Sequence, residues 1–271
     1  MNTLKARLRE FKLSGIYKSI EERLSFAKER NLSYTQFLEL LLEDEANNRK
    51  DNSFRKRYAK AKFPAHKRIE DFDFSFQPSI NRRVINDCLT CSFIKEKRNV
   101  VFIGNPGTGK THLSIAIGIN ALMKGYKVLF TSVSEMLRNL NASKADNSYY
   151  QKVSFYLAPD LLILDELGFK RLPGYSADDF FEIISKRYEK GSLIITTNKT
   201  FEQWTDIFTD AVLAGAIIDR IVHHSTIIMI KGPSYRTKNL KKRGNKNWFL
   251  REFNYGKKFG VDYGILLDFE A

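Results

Sequence analysis

Residues 104–111, Gly-Asn-Pro-Gly-Thr-Gly-Lys-Thr, have the types and spacing of a loop that binds phosphates. Glycines let such a loop curl so that several backbone N–H groups point at one anion. Lys110 can reach the β- and γ-phosphates of a nucleotide, and the Thr111 hydroxyl can ligate Mg²⁺. A glycine-rich turn without a ligand is the alternative. The predicted nucleotide contacts are Gly104, Asn105, Pro106, Gly107, Thr108, Gly109, Lys110, Thr111 and His112.

Two adjacent carboxylates, Asp165 and Glu166, directly follow an apolar run. The apolar residues predict a buried strand, whose end then delivers both acids to the edge of a sheet beside the phosphates. We expect Asp165 to hold Mg²⁺ through water, and Glu166 to orient and activate the attacking water. Two solvated acids at the end of a strand are the alternative interpretation.

A polar amide is predicted at the same edge. Asn198 ends the sequence Thr196-Thr-Asn after another apolar run. Its side chain can hydrogen-bond the attacking water or the γ-phosphate. An asparagine that opens a turn is the alternative.

Five short apolar runs predict the strands that position these groups. They do not alternate between apolar and polar residues, which is typical of strands buried on both faces. Helical patterns lie between them, including 134–152 and 177–189, so we expect an α/β fold with a five-stranded parallel sheet covered by helices. The predicted strands cover residues 99–103, 127–131, 160–165, 192–197 and 226–230.

The pattern changes along the chain and predicts three segments. Residues 1–70 form a small helical N-terminal docking domain with a basic linker, 71–236 the nucleotide-binding domain, and 237–271 a basic extension of unknown role. In the first segment we expect one helix to about residue 27, a second after a capping box at 33–36, and a third ending near residue 64. The aromatic residues of 72–78 either pack across the base of the nucleotide or seal the edge of the core.

Charge is the most informative global property. The chain has 45 Lys and Arg against 31 Asp and Glu, a net charge of +14, which favours a polyanionic partner. Nine basic residues lie between Arg49 and Arg68, with Phe54, Tyr58 and Phe63 among them. This stretch predicts either a segment that contacts phosphates or a solvated helix face.

Other global features exclude several classes. No apolar run reaches the ~18 residues that span a bilayer, and the N-terminus lacks the apolar core of a signal peptide, so we expect a cytoplasmic protein without a membrane partner. Cys88 and Cys91 form a single C-x-x-C motif, which we interpret as reduced, helix-borne thiols because zinc needs further ligands.

The order of these motifs resembles that of AAA+ ATPases. Within that class the chain is similar to IstB-type transposition helper proteins, which are encoded beside a transposase in bacterial insertion sequences and are related to DnaC helicase loaders and DnaA. The most specific stretches are 165–169 and 218–225. The motifs that carry the resemblance are 104–111, 165–166, 196–198, 219–220 and 234–236.

The resemblance implies further roles. Arg220 would be an arginine finger that reaches the ATP site of a neighbouring subunit, a task that suits a permanently charged, bidentate guanidinium. Arg236 would be the sensor-2 arginine of its own subunit, and Asn198 would be sensor 1. The implied cofactors are ATP and Mg²⁺. The expected catalytic residues are Lys110, Glu166, Asn198, Arg220 and Arg236.

The activity implied by the resemblance is that of a DNA-dependent ATPase. It would form a homo-oligomer on double-stranded DNA, prepare the target, recruit a DDE-type transposase and disassemble after hydrolysis. A DnaC-like helicase loader and a non-hydrolysing ATP-dependent DNA scaffold are the alternatives. The extension 237–271 departs from the family, whose members generally end soon after the Ser-Tyr-Arg motif. Candidate contacts with the DNA backbone are Arg138, Lys144, Lys152, Lys170 and Arg171.

Overall fold

The computed structural model describes residues 2–169, 171–208 and 210–238. The candidate DNA contact Lys170 and nearly all of the predicted extension, residues 239–271, lie outside the described residues. None of the described helices is long and apolar enough to cross a membrane. The helices are α1 Asn2–Glu10, α2 Ser14–Glu29, α3 Tyr34–Ala61, α4 Arg82–Leu89, α5 Ser92–Lys95, α6 Lys110–Met123, α7 Val133–Ala145, α8 Tyr149–Leu157, α9 Gly174–Arg187 and α10 Ala211–Val222, with short 3₁₀ helices at Glu202–Asp206 and Tyr235–Thr237.

Five strands form one sheet in the order β2-β3-β4-β1-β5, and every pair is parallel. The predicted parallel sheet is confirmed, with each strand close to its predicted bounds. The strands are β1 Asn99–Gly104, β2 Val128–Ser132, β3 Leu161–Leu167, β4 Ser192–Thr197 and β5 Ser225–Ile230.

Helices cover both faces of this sheet. Along β1, Val100 and Phe102 point into one core, whereas Val101 and Ile103 point into the other. The first core also contains residues of α4, α5 and α6, and the second contains residues of α7, α8, α9 and α10. Burial on both faces explains why β1, β3 and β4 are continuously apolar. The expectation is wrong for the edge strand β5, which buries Ile228 and Ile230 but exposes Ile227 and Met229.

The end of β3 departs from regular pairing where the two acids lie. Leu164 and Leu167 both pair with β4, but the register shifts between them. Three steps along β3 there match two steps along β4, so the strand carries one extra residue, as in a β-bulge. Asp165 and Glu166 lie inside this shift. Bulges of this kind re-aim side chains and are frequent beside functional sites.

The helices of two segments differ from their predicted bounds. The single helix predicted to about residue 27 is interrupted between α1 and α2, because Lys12 has a φ of 56°, which a right-handed helix does not accommodate. The helix predicted over 134–152 is likewise divided into α7 and α8, with Asn147 at a φ of 58° between them.

The second and third predicted helices are wrong as separate elements, because α3 is continuous over 28 residues. Its sequence contains neither glycine nor proline, the residues that most strongly interrupt helices. The predicted capping box is confirmed: Ser33 accepts a hydrogen bond from the backbone of Gln36, and the Gln36 side chain accepts one from the backbone of Ser33.

The C-terminal half of α3 packs against the core of the sheet. Phe54, Tyr58 and Phe63 are partly buried there, and the Phe63 ring lies 6.2 Å from that of Phe130 in β2. The aromatic residues within the basic stretch therefore contribute to core packing. The basic residues on the solvent side of α3 are exposed, among them Lys50, Arg55, Lys56 and Lys60.

Both cysteines are free and buried. Cys88 lies in α4, whereas Cys91 precedes α5 with a φ of 61° and so is not itself helical. Burial raises the pKa of the Cys88 thiol to about 11, and burial also raises the pKa of Cys91. Neutral thiols are poor metal ligands and poor nucleophiles.

Candidate nucleotide-binding site

The loop predicted to bind phosphates connects β1 to the N-terminus of α6. Gly107 and Gly109 have φ values of 79° and 98°, a left-handed conformation that suits glycine. The Lys110 ammonium donates to the carbonyl oxygens of Gly104 at 2.6 Å and Asn105 at 2.9 Å. The loop is thus already curled around the lysine, and the N-terminus of α6 carries the positive end of a 14-residue helix dipole.

The hydroxyl and carboxylate predicted to hold Mg²⁺ are in direct contact. Thr111 Oγ1 donates to Asp165, with its oxygen 2.9 Å from Oδ1 and 3.1 Å from Oδ2. Thr196 Oγ1, at the end of β4, donates to the same Oδ1 at 2.5 Å. Burial lowers the pKa of nearby Lys110, while the charge of Asp165 opposes that shift. Three elements, α6, β3 and β4, therefore meet at one buried carboxylate.

Glu166 lies next to this carboxylate but points into solvent. Its φ is 63°, which is unusual for a residue other than glycine, and its side chain is exposed. Its backbone N–H donates to Thr196 Oγ1 at 3.1 Å. Such a conformation costs about 1–3 kcal/mol and persists where the surrounding structure enforces it. Here the bulge and the Thr196 hydroxyl enforce it, and they turn Glu166 away from the buried strand.

Asn198 is exposed directly after the end of β4. The backbone N–H of Lys199 donates to Thr197 Oγ1 at 3.0 Å, so the chain turns at this point. Since β4 lies between β1 and β3, the amide is at the same edge of the sheet as the loop and Asp165.

A C-terminal segment packs on the phosphate-binding loop. The Tyr235 N–H donates to the Gly107 carbonyl at 2.9 Å. A Cβ at Gly107 would lie 2.0 Å from Ser234 Oγ, so only glycine fits there without displacing this segment. Arg236 lines the same cavity as Lys110. Three predicted site residues, Gly107, Lys110 and Arg236, are thereby brought together although Arg236 is distant from the loop in the sequence.

The cavity beside the loop has a volume of about 320 Å³. Phe72 lines it and contacts the loop, because a Cβ at Gly109 would lie 2.5 Å from the Phe72 ring. The Phe72 ring also meets the His112 ring edge to face at 5.3 Å, and His112 Nε2 lies 2.7 Å from the Arg68 carbonyl. Phe72 and Phe74 both pack against the core as well. Of the two roles left open for segment 72–78, packing against the core is observed, and contact with the base of a nucleotide stays a prediction for Phe72.

A family model described as IstB-like ATP binding protein matches residues 6–243, which include every site residue described above. The chain belongs to this family.

Two curated relatives show how far the likeness of this IstB-like chain extends. The putative ATP-binding protein of insertion sequence IS21 from Pseudomonas aeruginosa is 38% identical over 244 residues, 90% of this chain and 92% of the relative. The corresponding protein of IS5376 from Geobacillus stearothermophilus is 39% identical over 221 residues, 82% and 88% of the two chains. The likeness to these putative ATP-binding proteins of insertion sequences therefore extends over most of the IstB-like chain.

Solved structures share its fold. The crystal structure of DnaI is 23% identical with a TM-score of 0.54, and covers 61% of this chain and 92% of that chain. AMPPCP-bound DnaA from Aquifex aeolicus is 22% identical with a TM-score of 0.51, and covers 71% of this chain and 57% of that chain. The predicted AAA+ P-loop fold is confirmed.

Sequence motifs did not indicate the contacts that hold the C-terminal segment of the IstB-like chain in place. Lys238 donates to Asp73 at 2.7 Å, with its ammonium 4.9 Å from the Phe76 ring and 4.8 Å from the Tyr235 ring. We call this group, Asp73, Phe76, Tyr235 and Lys238, the clamp. The hydrogen bond from Lys238 is the largest of the effects that hold the pKa of Asp73 well below its usual range. The alternation of aromatic residues in 72–76 is the sequence feature that could have indicated the clamp.

Arg220, the predicted arginine finger, lies on α10 away from the chain's own site. Its guanidinium is 4.9 Å from the Phe181 ring, and Nη1 donates to the Ala216 carbonyl at 3.0 Å. Arg220 is absent from the described residues that line the cavity. The structure therefore does not bring Arg220 together with Lys110, Glu166 and Arg236 of the same chain.

The candidate DNA contacts have different surroundings. Arg138 is exposed on α7. Lys144 instead forms an ion pair with buried Asp179 at 2.8 Å, and Lys152 is half-buried with its ammonium 5.9 Å from the Phe155 ring. Arg171 donates to the Asp206 carbonyl at 3.1 Å. Of the described candidates, Lys144 is the one that intramolecular contacts hold most firmly.

Proposed function

We propose that this chain is an ATPase that assembles on double-stranded DNA in its ATP state and serves a DDE-type transposase of an insertion sequence. The observation that carries the proposal is the contact between Thr111, Asp165 and Thr196, with Glu166 turned out beside it. This cluster of oxygen atoms, with an exposed carboxylate beside it at the edge where the loop opens, supports a metal site next to a catalytic base. A site that only bound nucleotide would not need the second acid.

The residues present fit ATP and Mg²⁺. Mg²⁺ prefers oxygen ligands and retains several waters, which suits one hydroxyl and one carboxylate. Thr111 and Asp165 would hold it, the latter through water. When bound, Mg²⁺ neutralises charge on the phosphate oxygens. Residues 104–112 would bind the phosphates through backbone N–H groups and the Lys110 ammonium, and Phe72 would contact the base.

Glu166 would act as the general base in hydrolysis. Its carboxylate accepts a proton from the attacking water, and Asn198 orients that water by a hydrogen bond. Lys110 and Arg236 stabilise the negative charge of the phosphates from the same subunit. Each of these groups lies on a different element, so the sheet edge and the clamp together set their positions.

Arg220 would complete the site of a neighbouring subunit. Its absence from the described residues that line the cavity of its own chain supports a role in trans, and α10 presents it partly exposed. To reach a neighbour, the guanidinium would leave the Ala216 carbonyl and the Phe181 ring. Arginine fingers contribute about 10³ to 10⁵ in rate, so hydrolysis would depend on assembly of a homo-oligomer.

DNA binding would use the phosphate backbone. The net charge of +14 and the exposed basic residues of α3 and α7 support this part of the proposal. Backbone contacts predict weak sequence preference and an affinity that falls steeply with salt. A helicase loader shares the same ATPase site, but the relatives at 37–39% identity belong to insertion sequences, which favours the transposition helper.

The variant Glu166→Gln tests the catalytic proposal. It keeps the size of the side chain but removes the base, so we expect ATP binding and DNA assemblies to persist while phosphate release falls about 100-fold or more. Phosphate release is measured with and without duplex DNA, and assembly by sedimentation. Glu202→Gln, at an exposed glutamate in a 3₁₀ helix, is the matched control.

Two results would contradict the proposal. Wild-type protein without DNA-stimulated phosphate release would exclude a DNA-dependent motor and favour the scaffold. Unchanged turnover in Glu166→Gln would remove Glu166 from the chemistry.

A further inference from the structure

Three metal-ligating side chains meet on the surface outside the nucleotide site. Glu189, His223 and His224 each offer one ligand atom, and these atoms lie within 4.8 Å of one another. His224 Nε2 is 3.4 Å from Glu189 Oε1, and the two imidazole rings have centroids 4.0 Å apart. We propose that this cluster binds a transition-metal ion of the Zn²⁺ class and thereby links the end of α9 to the end of α10.

The ligand set distinguishes this cluster from the magnesium site. Two imidazoles and one carboxylate suit Zn²⁺, Co²⁺ or Ni²⁺, whereas Mg²⁺ prefers oxygen ligands. Three protein ligands leave a fourth tetrahedral position for water. The three ligand atoms already lie within 4.8 Å of one another, and each ligand is on the surface or half-buried, so its side chain has room to turn toward an ion.

The backbone around the cluster favours a cation. α9 ends at Arg187 and α10 ends at Val222, and the ligands directly follow these two helix ends. The carboxyl end of a helix carries partial negative charge, and here two such ends converge. Glu189 has a φ of 57°, a conformation that costs energy and is enriched at ligand sites.

Neighbouring residues hold both histidines in place. The His223 N–H donates to the Asp219 carbonyl at 3.0 Å, and the His224 carbonyl accepts from the Asn99 N–H at 2.8 Å. The Tyr188 hydroxyl lies 2.9 Å from His223 Nδ1, and its ring stacks on that imidazole. Partners of this kind orient metal-ligating histidines. The cluster therefore has fixed backbones and an orienting hydroxyl as well as three donors.

A bound ion would fasten the helix that carries Arg220. That arginine lies one turn before His223 and rests on Phe181 of α9. The metal site does not depend on the proposed ATPase function, because its three ligands are not among the described residues that line the nucleotide cavity.

Metal titration of untagged, full-length, chelator-treated protein tests the inference. Zn²⁺ is titrated by calorimetry and Co²⁺ by visible absorption, both with Mg²⁺ in excess. We expect about one ion per chain and a rise in melting temperature on binding. His223→Ala and His224→Ala should each weaken binding at least about tenfold. His66→Ala, at an exposed histidine that contacts Tyr58, should bind as wild type does.

Several outcomes would overturn the inference. These are the absence of saturable binding, equal affinity in His224→Ala, and competition by Mg²⁺. A thiolate-to-metal charge-transfer band with Co²⁺ would place the ion at Cys88 and Cys91 instead. If circular dichroism shows that either histidine variant fails to fold, the variant Glu189→Gln, at an exposed ligand, is tested in its place. Weaker metal binding by that variant supports the proposed site, and unchanged metal binding excludes it.

Discussion

At the scale of single residues, Thr196 has a larger part in the site than its motif suggested. Its hydroxyl donates to Asp165 Oδ1 and accepts the backbone N–H of Glu166. One buried side chain therefore fixes both acids, the predicted metal ligand and the predicted base. Asn198 was predicted to be a site residue because a polar amide at the end of a strand can hydrogen-bond the attacking water. A threonine inside a strand is typical of β-structure and does not by itself indicate a site.

Replacing Thr196 with valine should reduce both stability and turnover. The change keeps the shape of the side chain but leaves a buried carboxylate and a backbone N–H short of one partner each. We expect a loss of about 1–3 kcal/mol in the free energy of unfolding. Turnover should fall about tenfold or more while ATP affinity changes little, because the loop itself is untouched. Urea denaturation and phosphate release measure the two effects.

An exposed threonine gives the matched control. Thr205→Val removes a hydroxyl in a 3₁₀ helix, where it donates to the Glu202 carbonyl, and should leave turnover unchanged. If Thr196→Val retained wild-type turnover, its hydroxyl would have no part in placing Glu166.

At the scale of elements, two distant segments close the cavity together. The segment 72–79 and the segment 231–238 are joined by the clamp and by two further hydrogen bonds, Gln77 to the Pro233 carbonyl at 2.8 Å and the Lys231 N–H to Ser79 at 3.0 Å. The first segment carries Phe72 and the second carries Arg236, so their contact sets two walls of the cavity.

Breaking the clamp should weaken ATP binding. In Asp73→Asn, Lys238 loses its charged partner, so the segment that carries Arg236 is held less firmly. We expect the dissociation constant for ATP to rise several-fold, and the reversed pair Asp73→Lys with Lys238→Asp to recover part of the loss. Fluorescent nucleotide titration measures both. Glu96→Gln, which breaks the exposed pair with Arg98, is the control.

The same pair predicts a pH dependence. The pKa of Asp73 is lowered by Lys238 first and by Ser75 and the Phe76 N–H next, and Asp73 in turn raises the pKa of Lys238. A carboxyl with a lowered pKa in the folded protein contributes above its ordinary value of 3.8 and loses that contribution as pH falls through the lowered pKa. The difference in ATP affinity between wild type and Asp73→Asn should therefore persist at neutral pH and shrink only in strong acid. A difference that vanished near pH 6 would contradict this assignment.

At the scale of the whole molecule, the proposed catalytic set would be divided between subunits. Lys110 and Arg236 line one cavity, and the charge of Glu166 acts on Lys110. Arg220 instead lies on α10 against Phe181 and is not among the described residues that line this cavity. In the proposed mechanism a single chain is therefore incomplete, and hydrolysis would require a neighbour.

Mixing two inactive variants should restore turnover. Arg220→Ala keeps its own base, and Glu166→Gln keeps its own finger, so a mixed assembly contains some sites with both groups. We expect each variant alone to be about 10³-fold or more below wild type and the mixture to recover a measurable fraction. Phosphate release at a fixed total protein concentration on duplex DNA measures this.

The control mixture contains Arg98→Ala, an exposed arginine outside the site, which should be active by itself. A lack of recovery, with both variants shown to assemble on DNA, would mean that Arg220 does not act in trans.

The sequence predicted the loop, the acids and the strands because these depend on local spacing and local burial. It did not predict the clamp, whose two charged members are 165 positions apart. It also named Lys144 as a candidate DNA contact but did not indicate the ion pair of that lysine with Asp179 on α9. A charge pattern shows how many basic residues a segment has, and only packing shows which of them a buried acid has already bound.

Local order along the chain was therefore enough to determine the α/β class, the phosphate-binding loop, the acidic pair and the family, since periodicity and motif spacing are properties of short segments. The tertiary structure decided that α3 is one helix packed on the sheet, that Arg236 lies beside Lys110 and Arg220 does not, and that Glu189 meets two histidines. Those outcomes depend on the order of strands in the sheet and on which distant side chains fill the same space, which no segment specifies by itself.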